Sequence, residues 1–231
     1  MDPRLMNIIN MIEDKDLKQK VLDIINDLTV EIGGSTYKGL RLEESPASLS
    51  RHHSYTGGLL EHILSTIRIA LILCDCVEDI YHGKVNRDNV ISGVILHDIF
   101  KPLMYVQKKE GGYAPSPLAE KVDHLTLITT ELSKRGFPLD VIHIVCAHHG
   151  DAGPLSPKTI EALICHAADV ADSTLNGKVL RAAKYLIREV TGRDIDVLNS
   201  EMAFEVIRRK SLKGWEGVRK FIENFSLKTD S

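Results

Sequence analysis

This 231-residue sequence has no large excess of charge of one sign, no long apolar run and few cysteines. Charge of neither sign dominates, because 29 Lys and Arg residues are set against 32 Asp and Glu residues, for a formal net charge of −3. Such a chain lacks a global basic field, so we expect no stable binding of duplex nucleic acid. The apolar run at residues 69–74 is far shorter than the roughly eighteen residues that cross a bilayer, so we expect no membrane association.

Cysteine is scarce as well, and no pair has the C-x-x-C spacing of a redox or zinc motif. All of the cysteines lie within apolar helical patterns, which predicts free thiols: Cys74, Cys76, Cys146 and Cys165. Residues 1–10 lack the basic flank, long apolar core and cleavage site of a secretion signal. These features predict a cytoplasmic location, where thiols stay reduced.

What the sequence does contain is typical of a globular, helical protein. Hydrophobic residues make up 43% and charged residues 26% of the chain. Apolar residues recur at helical spacing in every long segment, and no long segment alternates in polarity. We therefore predict an all-α helical bundle with three parts. Residues 1–45 form an N-terminal helical extension, residues 46–176 a catalytic domain, and residues 177–231 helices packed on that domain.

Local patterns predict where several helices begin and which faces they bury. Residues 59–80 are predicted as one long helix, and Asp88 is predicted to cap the next helix. Ser156 and Pro157 resemble the cap and first turn of a later helix. On that helix we expect five apolar residues to face inward: Ile160, Leu163, Ile164, Ala167 and Ala168.

The chemistry is carried by histidine and aspartate residues that recur near the ends of successive predicted helices. Taken singly, each of the ten histidines is more often a packed core or surface residue than a functional one. A helical bundle can, however, point such residues into one shared pocket. The predicted site comprises His62, His97, Asp98, His124, His148, His149 and Asp169.

These residue types favour a transition-metal site. Imidazole nitrogens suit borderline transition metals, and a carboxylate such as Asp98 can bridge two ions. Lys101 follows Asp98 by three residues on the same helix face, where it can contact a phosphate oxygen. The alternative interpretation of Lys101 is an ordinary cation at a helix end.

Five blocks of sequence resemble the HD superfamily of phosphohydrolases. They are residues 52–62 (HHSYTGGLLEH), 93–101 (GVILHDIFK), 123–125 (DHL), 148–150 (HHG) and 166–172 (HAADVAD). The resemblance covers roughly residues 46–176 and is greatest to the HD domain of YhaM-type 3'-5' exoribonucleases. An ordered set of five blocks is far more specific than an isolated His-Asp pair.

The resemblance implies a helical domain that hydrolyses phosphoester bonds with one or two divalent transition-metal ions, which can be Mn, Fe, Ni, Co or Zn. It implies that the first ion is held by four residues: His62, His97, Asp98 and Asp169. A second ion would be held by His124 with one or both of His148 and His149. Lys101 matches a phosphate-contacting lysine, and His52 and His53 match a pair that we expect to contact substrate, with Arg51 nearby.

Two departures from the family bear on the substrate. YhaM-type enzymes carry a separate OB domain, which 45 residues cannot form. The D-G-x-G-Y-P stretch of the cyclic-dinucleotide branch is also missing, because His149 is followed by Gly150, Asp151 and Ala152. We therefore expect a phosphomonoesterase or phosphodiesterase that uses metal-activated water on nucleotides or short single-stranded oligonucleotides.

The sequence leaves one alternative from another class, a metal- or nucleotide-binding sensor on an HD scaffold without catalysis. Two nearby residues are placed outside the predicted site. His166 is expected to orient a ligand or to pack, and Asp172 to support a ligand or to face solvent. The oligomeric state stays open.

Overall fold

The computed structural model describes residues 1–195 and 198–229, with side chains through residue 223. Helices dominate it, which confirms the all-α prediction. They are α1 (Pro3–Ile9), α2 (Lys15–Asn26), α3 (Gly58–Asp75), α4 (Arg87–Leu96), α5 (Lys101–Met104), α6 (His124–Lys134), α7 (Leu139–Ala147), α8 (Ile160–Thr191) and α9 (Ser200–Thr229). A π-helical segment, Cys76–Ile80, extends α3, so the predicted helix over residues 59–80 is continuous except for this change of pitch. A short 3₁₀ turn, Gly150–Ala152, follows α7.

Two short antiparallel hairpins accompany the helices and were not predicted. Strands β1 (Thr29–Ile32) and β2 (Ser35–Lys38) pair with each other, as do β3 (Tyr105–Gln107) and β4 (Tyr113–Pro115). Gly33 and Gly34 connect β1 to β2 with φ of 59° and 77°, which is the backbone that a two-residue hairpin turn needs. Strands of three or four residues are too short to produce a reliable alternating pattern.

The start of α4 differs from the prediction. Asn86 is the N-cap, because its side chain accepts a hydrogen bond from the backbone N–H of Asn89 at 3.1 Å. The Asp88 carboxylate instead accepts hydrogen bonds from the backbone N–H groups of Glu13 (3.0 Å) and Asp14 (2.8 Å). Asp88 therefore anchors the connection between α1 and α2 on α4, a contact distant in sequence that local capping rules do not reveal.

Helix α4 lies at the centre of the fold and positions the site. All of its residues from Asn89 to Leu96 are buried, and it packs against α2, α3, α7 and α8. A Cβ atom on Gly93 would lie 2.3 Å from Cγ2 of Ile144, so glycine allows α4 and α7 to approach closely. Since α4 is covered on every side, the residues at its C-terminal end, His97 and Asp98, emerge inside the protein.

Helix α8 begins later and faces differently than predicted. Thr159 is its N-cap. The predicted inward orientation is confirmed for Ile164 and Ala168, but it is wrong for Ile160, Leu163 and Ala167, of which the first two are 46% and 57% exposed. The buried face carries Ala162, Cys165, Ala168, Asp172 and Asn176. Two of these residues are polar, and a pattern based on apolar spacing therefore identified the inner face only in part.

The C-terminal part packs on α8. Helices α8 and α9 share a second apolar cluster that includes Leu180, Ile187, Val206 and Val218. Because α8 runs without a break through residues 176 and 177, the predicted boundary there lies within one helix. The division of the chain into three parts stays a prediction. Residues 196, 197, 230 and 231 lie outside the described structure. Among the described residues, no helix is long and apolar enough to cross a bilayer.

Candidate metal centre

Five helices or their ends bring the predicted site residues into one cluster. His62 lies in the second turn of α3, and His97 and Asp98 follow directly after α4. His124 opens α6, where Asp123 caps the helix by accepting a hydrogen bond from the backbone N–H of Thr126. The remaining members directly follow α7 or lie in the third turn of α8: His148, His149 and Asp169.

Asp98 occupies the middle of the cluster. Its Oδ2 lies 3.5 Å from Nε2 of His62 and 3.4 Å from Nε2 of His97. Its Oδ1 lies 3.2 Å from Nε2 of His124 and 3.8 Å from Nε2 of His148. The two oxygens of one buried carboxylate thus face two separate groups of histidines, which is the arrangement of a bridging ligand.

The group on the Oδ2 side has the dimensions of a metal coordination shell. His62 Nε2 lies 3.2 Å from both His97 Nε2 and Asp169 Oδ1, and His97 Nε2 lies 3.9 Å from Asp169 Oδ1. Nitrogen and oxygen ligands bind zinc at about 2.0–2.2 Å, which places neighbouring ligand atoms about 3–3.5 Å apart. The observed spacings are close to that range, so these side chains fit one ion with little movement.

The group on the Oδ1 side contains polar atoms that are buried without a partner. His124 Nε2, His148 Nε2 and Asp98 Oδ1 have no hydrogen bond among the described residues, although all three are inaccessible to solvent. Buried polar atoms are almost always satisfied, because leaving one unsatisfied costs about 1–3 kcal/mol. His149 offers a further nitrogen within 4.8 Å of those of His124 and His148. Together these atoms fit a second ion.

Hydrogen bonds behind the cluster fix the orientation of the histidine rings. Nδ1 of His97 lies 2.6 Å from the carbonyl oxygen of Val94, and Nδ1 of His148 lies 2.7 Å from that of Val145. A carbonyl oxygen only accepts, so each Nδ1 must donate, and each Nε2 of a neutral ring keeps its lone pair toward the cluster. This is the outer arrangement usual for metal-binding histidines.

Asp172, which was predicted to lie outside the site, performs the same role for His62. Its Oδ2 lies 2.6 Å from Nδ1 of His62, and Asp172 is only 3% exposed. The available signal was its position on α8, three residues after Asp169 and hence on a neighbouring part of the same face. His166 also supports the site, because its Nδ1 donates a hydrogen bond to the carbonyl oxygen of His148 at 2.7 Å.

Two members of the cluster have the protonation states of metal ligands, whereas the pKa of His62 is raised because its burial is outweighed by hydrogen bonds with nearby carboxylates. Burial opposes ionisation of Asp98, but nearby Lys101 and His97 outweigh it and hold the pKa of that carboxyl well below its usual range. Burial lowers the pKa of His148 to about 3, so its imidazole is neutral near pH 7. Ionised carboxylates and neutral imidazoles are the forms that bind metal.

An open cavity of about 830 Å³ leads to this cluster. Asp98, His148, His149 and Asp169 form part of its wall, and Lys101 is placed with its Nζ 2.5 Å from Oδ2 of Asp98. A phosphate group entering the cavity would meet the predicted metal ligands and the Lys101 cation together.

The predicted substrate-contacting residues differ in their access to this cavity. Arg51 and His52 line it. His53 does not, because its ring is buried behind the wall with Nε2 3.7 Å from Oδ2 of Asp172. The backbone of His53 has φ of 44°, unusual for a residue other than glycine, and its N–H donates to Oδ1 of Asn176 at 2.6 Å.

Comparison with known proteins identifies the family. The HD domain model matches residues 59–174, half of the chain. A dihydroneopterin 2',3'-cyclic phosphate phosphodiesterase of Methanocaldococcus jannaschii is 39% identical over 222 residues, which cover 95% of this chain and 87% of that protein.

YhaM 3'-5' exoribonucleases match a smaller part. The Listeria monocytogenes protein is 34% identical over 60% of this chain and 46% of its own length, and the Bacillus subtilis protein is 31% identical over 57% and 43%. The matched region thus spans less than half of these relatives. No solved structure matches the chain. The predicted resemblance is confirmed: the chain belongs to the HD domain family and is a hydrolase that acts on phosphoester bonds.

Proposed function

We propose that this protein is a metal-dependent phosphodiesterase that opens the cyclic phosphodiester of a small, nucleotide-like molecule. The observation that carries the proposal is the position of Asp98 between two groups of metal-binding side chains. Oδ1 of Asp98 and two nitrogens of the second group, Nε2 of His124 and of His148, are buried without a hydrogen-bond partner among the described residues. Its active site would therefore hold two divalent ions, with Asp98 as the bridging ligand.

The first ion would be held by His62, His97, Asp98 and Asp169, and the second by His124, His148 and His149 with Asp98. Imidazole and carboxylate donors accept manganese, iron, nickel, cobalt or zinc, so the donor set does not select one metal. When bound, such ions polarise phosphoryl oxygens and lower the pKa of water toward neutrality.

The side chains of this chain would act on the substrate around those ions. Lys101 would place its ammonium group next to a phosphate oxygen beside Asp98 and would offset the negative charge that grows in the transition state. Arg51 and His52 would contact the substrate from the cavity wall. His53 would act indirectly, by packing behind His62, since it does not reach the cavity.

Two observations support a small substrate. The relative matched over 87% of its length is named for a cyclic phosphate of a small molecule, whereas the exoribonucleases are matched over less than half of theirs. The formal net charge of −3 also argues against a continuous cationic groove of the kind that grips long single strands. We propose a cytoplasmic enzyme that acts on nucleotides or short oligonucleotides.

Hydrolysis assays with the purified full chain test this proposal. Protein freed of metal and then supplied with Mn²⁺, Co²⁺, Ni²⁺, Fe²⁺ or Zn²⁺ is assayed on bis-p-nitrophenyl phosphate, p-nitrophenyl phosphate and adenosine 2',3'-cyclic monophosphate. We expect metal-dependent hydrolysis of the two diesters and a much lower rate on the monoester. Hydrolysis of the monoester alone, or of nothing with any metal, contradicts the proposal.

A further inference from the structure

Three cationic side chains line the mouth of the cavity. Arg51 belongs to the loop before α3, and Lys178 and Arg181 lie one turn apart on α8. Among the described residues, none of the three forms a salt bridge. The carboxylates that line the cavity, Asp98 and Asp169, already face the predicted metal ligands.

A close contact between the loop and α8 holds these cations near one another. A Cβ atom on Gly177 would lie only 2.9 Å from the carbonyl oxygen of Arg51 and 3.7 Å from Nη1 of Arg181. The loop itself is fixed by Ser48, whose hydroxyl accepts hydrogen bonds from the backbone N–H groups of Arg51 and His52, each at 3.0 Å. The cations are therefore placed by ordered backbone, although their side chains are exposed to solvent.

The cations lie far enough from the metal cluster to contact a second anionic group of the substrate while the scissile phosphate is at the cluster. Eight residues separate Asp169 from Gly177 on α8, which corresponds to about 12 Å along the helix axis. Helical side chains lean toward the N-terminus, and the guanidinium of Arg181 accordingly lies at the level of Gly177. An anion between these cations and the metal ligands would be distinct from the scissile phosphate.

We propose that Arg51, Lys178 and Arg181 form a second anion subsite, which binds a phosphate group of the substrate other than the scissile one. This inference rests on the proposed phosphodiesterase function and narrows its substrate class. The substrate is a nucleotide whose 5' end carries one or more phosphates, with the scissile phosphodiester at the metal cluster. Thr174 also lines the cavity, between Asp169 and Lys178 on α8, and supplies a hydroxyl donor for such a phosphate.

Equilibrium binding tests the subsite without requiring turnover. The ligands are adenosine 3'-monophosphate, adenosine 3',5'-bisphosphate and adenosine 3'-phosphate 5'-diphosphate, each titrated into the metal-loaded full chain. We expect the 5'-phosphates to increase affinity by about tenfold, the combined effect of three exposed ion pairs. The gain should shrink as salt is raised, because the contacts are solvent-exposed.

Variants assign that gain to named residues. Arg181→Gln and Lys178→Gln should each reduce the gain to about threefold or less, and Arg188→Gln, on the same helix but away from the cavity, should leave it unchanged. The proposed subsite is wrong if the wild-type protein binds all three ligands with equal affinity or binds none of them. It is also wrong if Arg181→Gln and Lys178→Gln leave the gain in affinity unchanged. Hydrolysis of bis-p-nitrophenyl phosphate, which has no second anionic group, reports separately on the proposed function.

Discussion

Replacing Asp172 with Asn tests whether His62 is held in place as a metal ligand. The buried hydrogen bond between Asp172 Oδ2 and His62 Nδ1 measures 2.6 Å, and both residues are shielded from solvent. A hydrogen bond to a charged group contributes about 1.5–3 kcal/mol, which corresponds to roughly 12- to 150-fold in a binding constant. Asparagine keeps the volume and removes the charge, so we expect metal affinity to fall by about 10- to 100-fold.

The assay is competition for Mn²⁺ or Zn²⁺ with a chromogenic chelator, followed by activity at saturating metal. Glu189→Gln is the matched control, because Glu189 lies on the same helix and is exposed. Thermal unfolding in the presence of chelator shows whether the variant folds normally. Wild-type metal affinity in a correctly folded Asp172→Asn protein would refute the reasoning, because His62 would not then depend on its carboxylate partner.

Three further predictions follow from single contacts. Lys101→Ala should lower kcat/KM on a cyclic diester by about 10- to 100-fold while metal content is retained, because we expect the Nζ beside Asp98 to contact phosphate and not metal. Loss of metal from this variant would contradict that role. Gly58→Ala should destabilise the fold by about 1–3 kcal/mol in urea unfolding, since a Cβ there would lie 2.1 Å from the carbonyl oxygen of His53. An unchanged urea midpoint would contradict this, because the backbone at His53 would then move away without cost. Removing metal should lower Tm by roughly 5–10 °C, because a metal ion present at about 100 times its Kd stabilises the folded protein by about 2.7 kcal/mol. An identical Tm with and without metal would count against two well-formed ion sites.

The cluster of histidine and aspartate residues was predictable from the sequence because the residue types themselves indicate it. Histidine and aspartate recur near the ends of successive predicted helices, and a bundle brings such ends together. The structure accordingly gathers His62, Asp98, His124 and His148 into one place. Their order along the chain also matched that of a known family.

The supporting residues were harder to predict because their polarity resembles that of surface positions. Asp172 and Asn176 lie on the buried face of α8, and their partners are 110 and 123 residues away in sequence. A pattern that counts polar residues as exposed leaves Asp172 and Asn176 out of the inner face and includes the exposed Ile160 and Leu163 in it. The proposed role of Lys178 was not predicted either, because an isolated exposed cation on a long helix is ordinarily only solvated.

The central claim is that Asp98 bridges two metal ions at the centre of the catalytic site. Elemental analysis and hydrolysis of bis-p-nitrophenyl phosphate, measured on the same preparations of wild-type and Asp98→Ala protein, test it most directly. We predict about two transition-metal ions per chain and metal-dependent hydrolysis in the wild type, and we predict that the variant loses both the metal and the activity. An Asp98→Ala protein that retained full metal content and full activity would contradict the account.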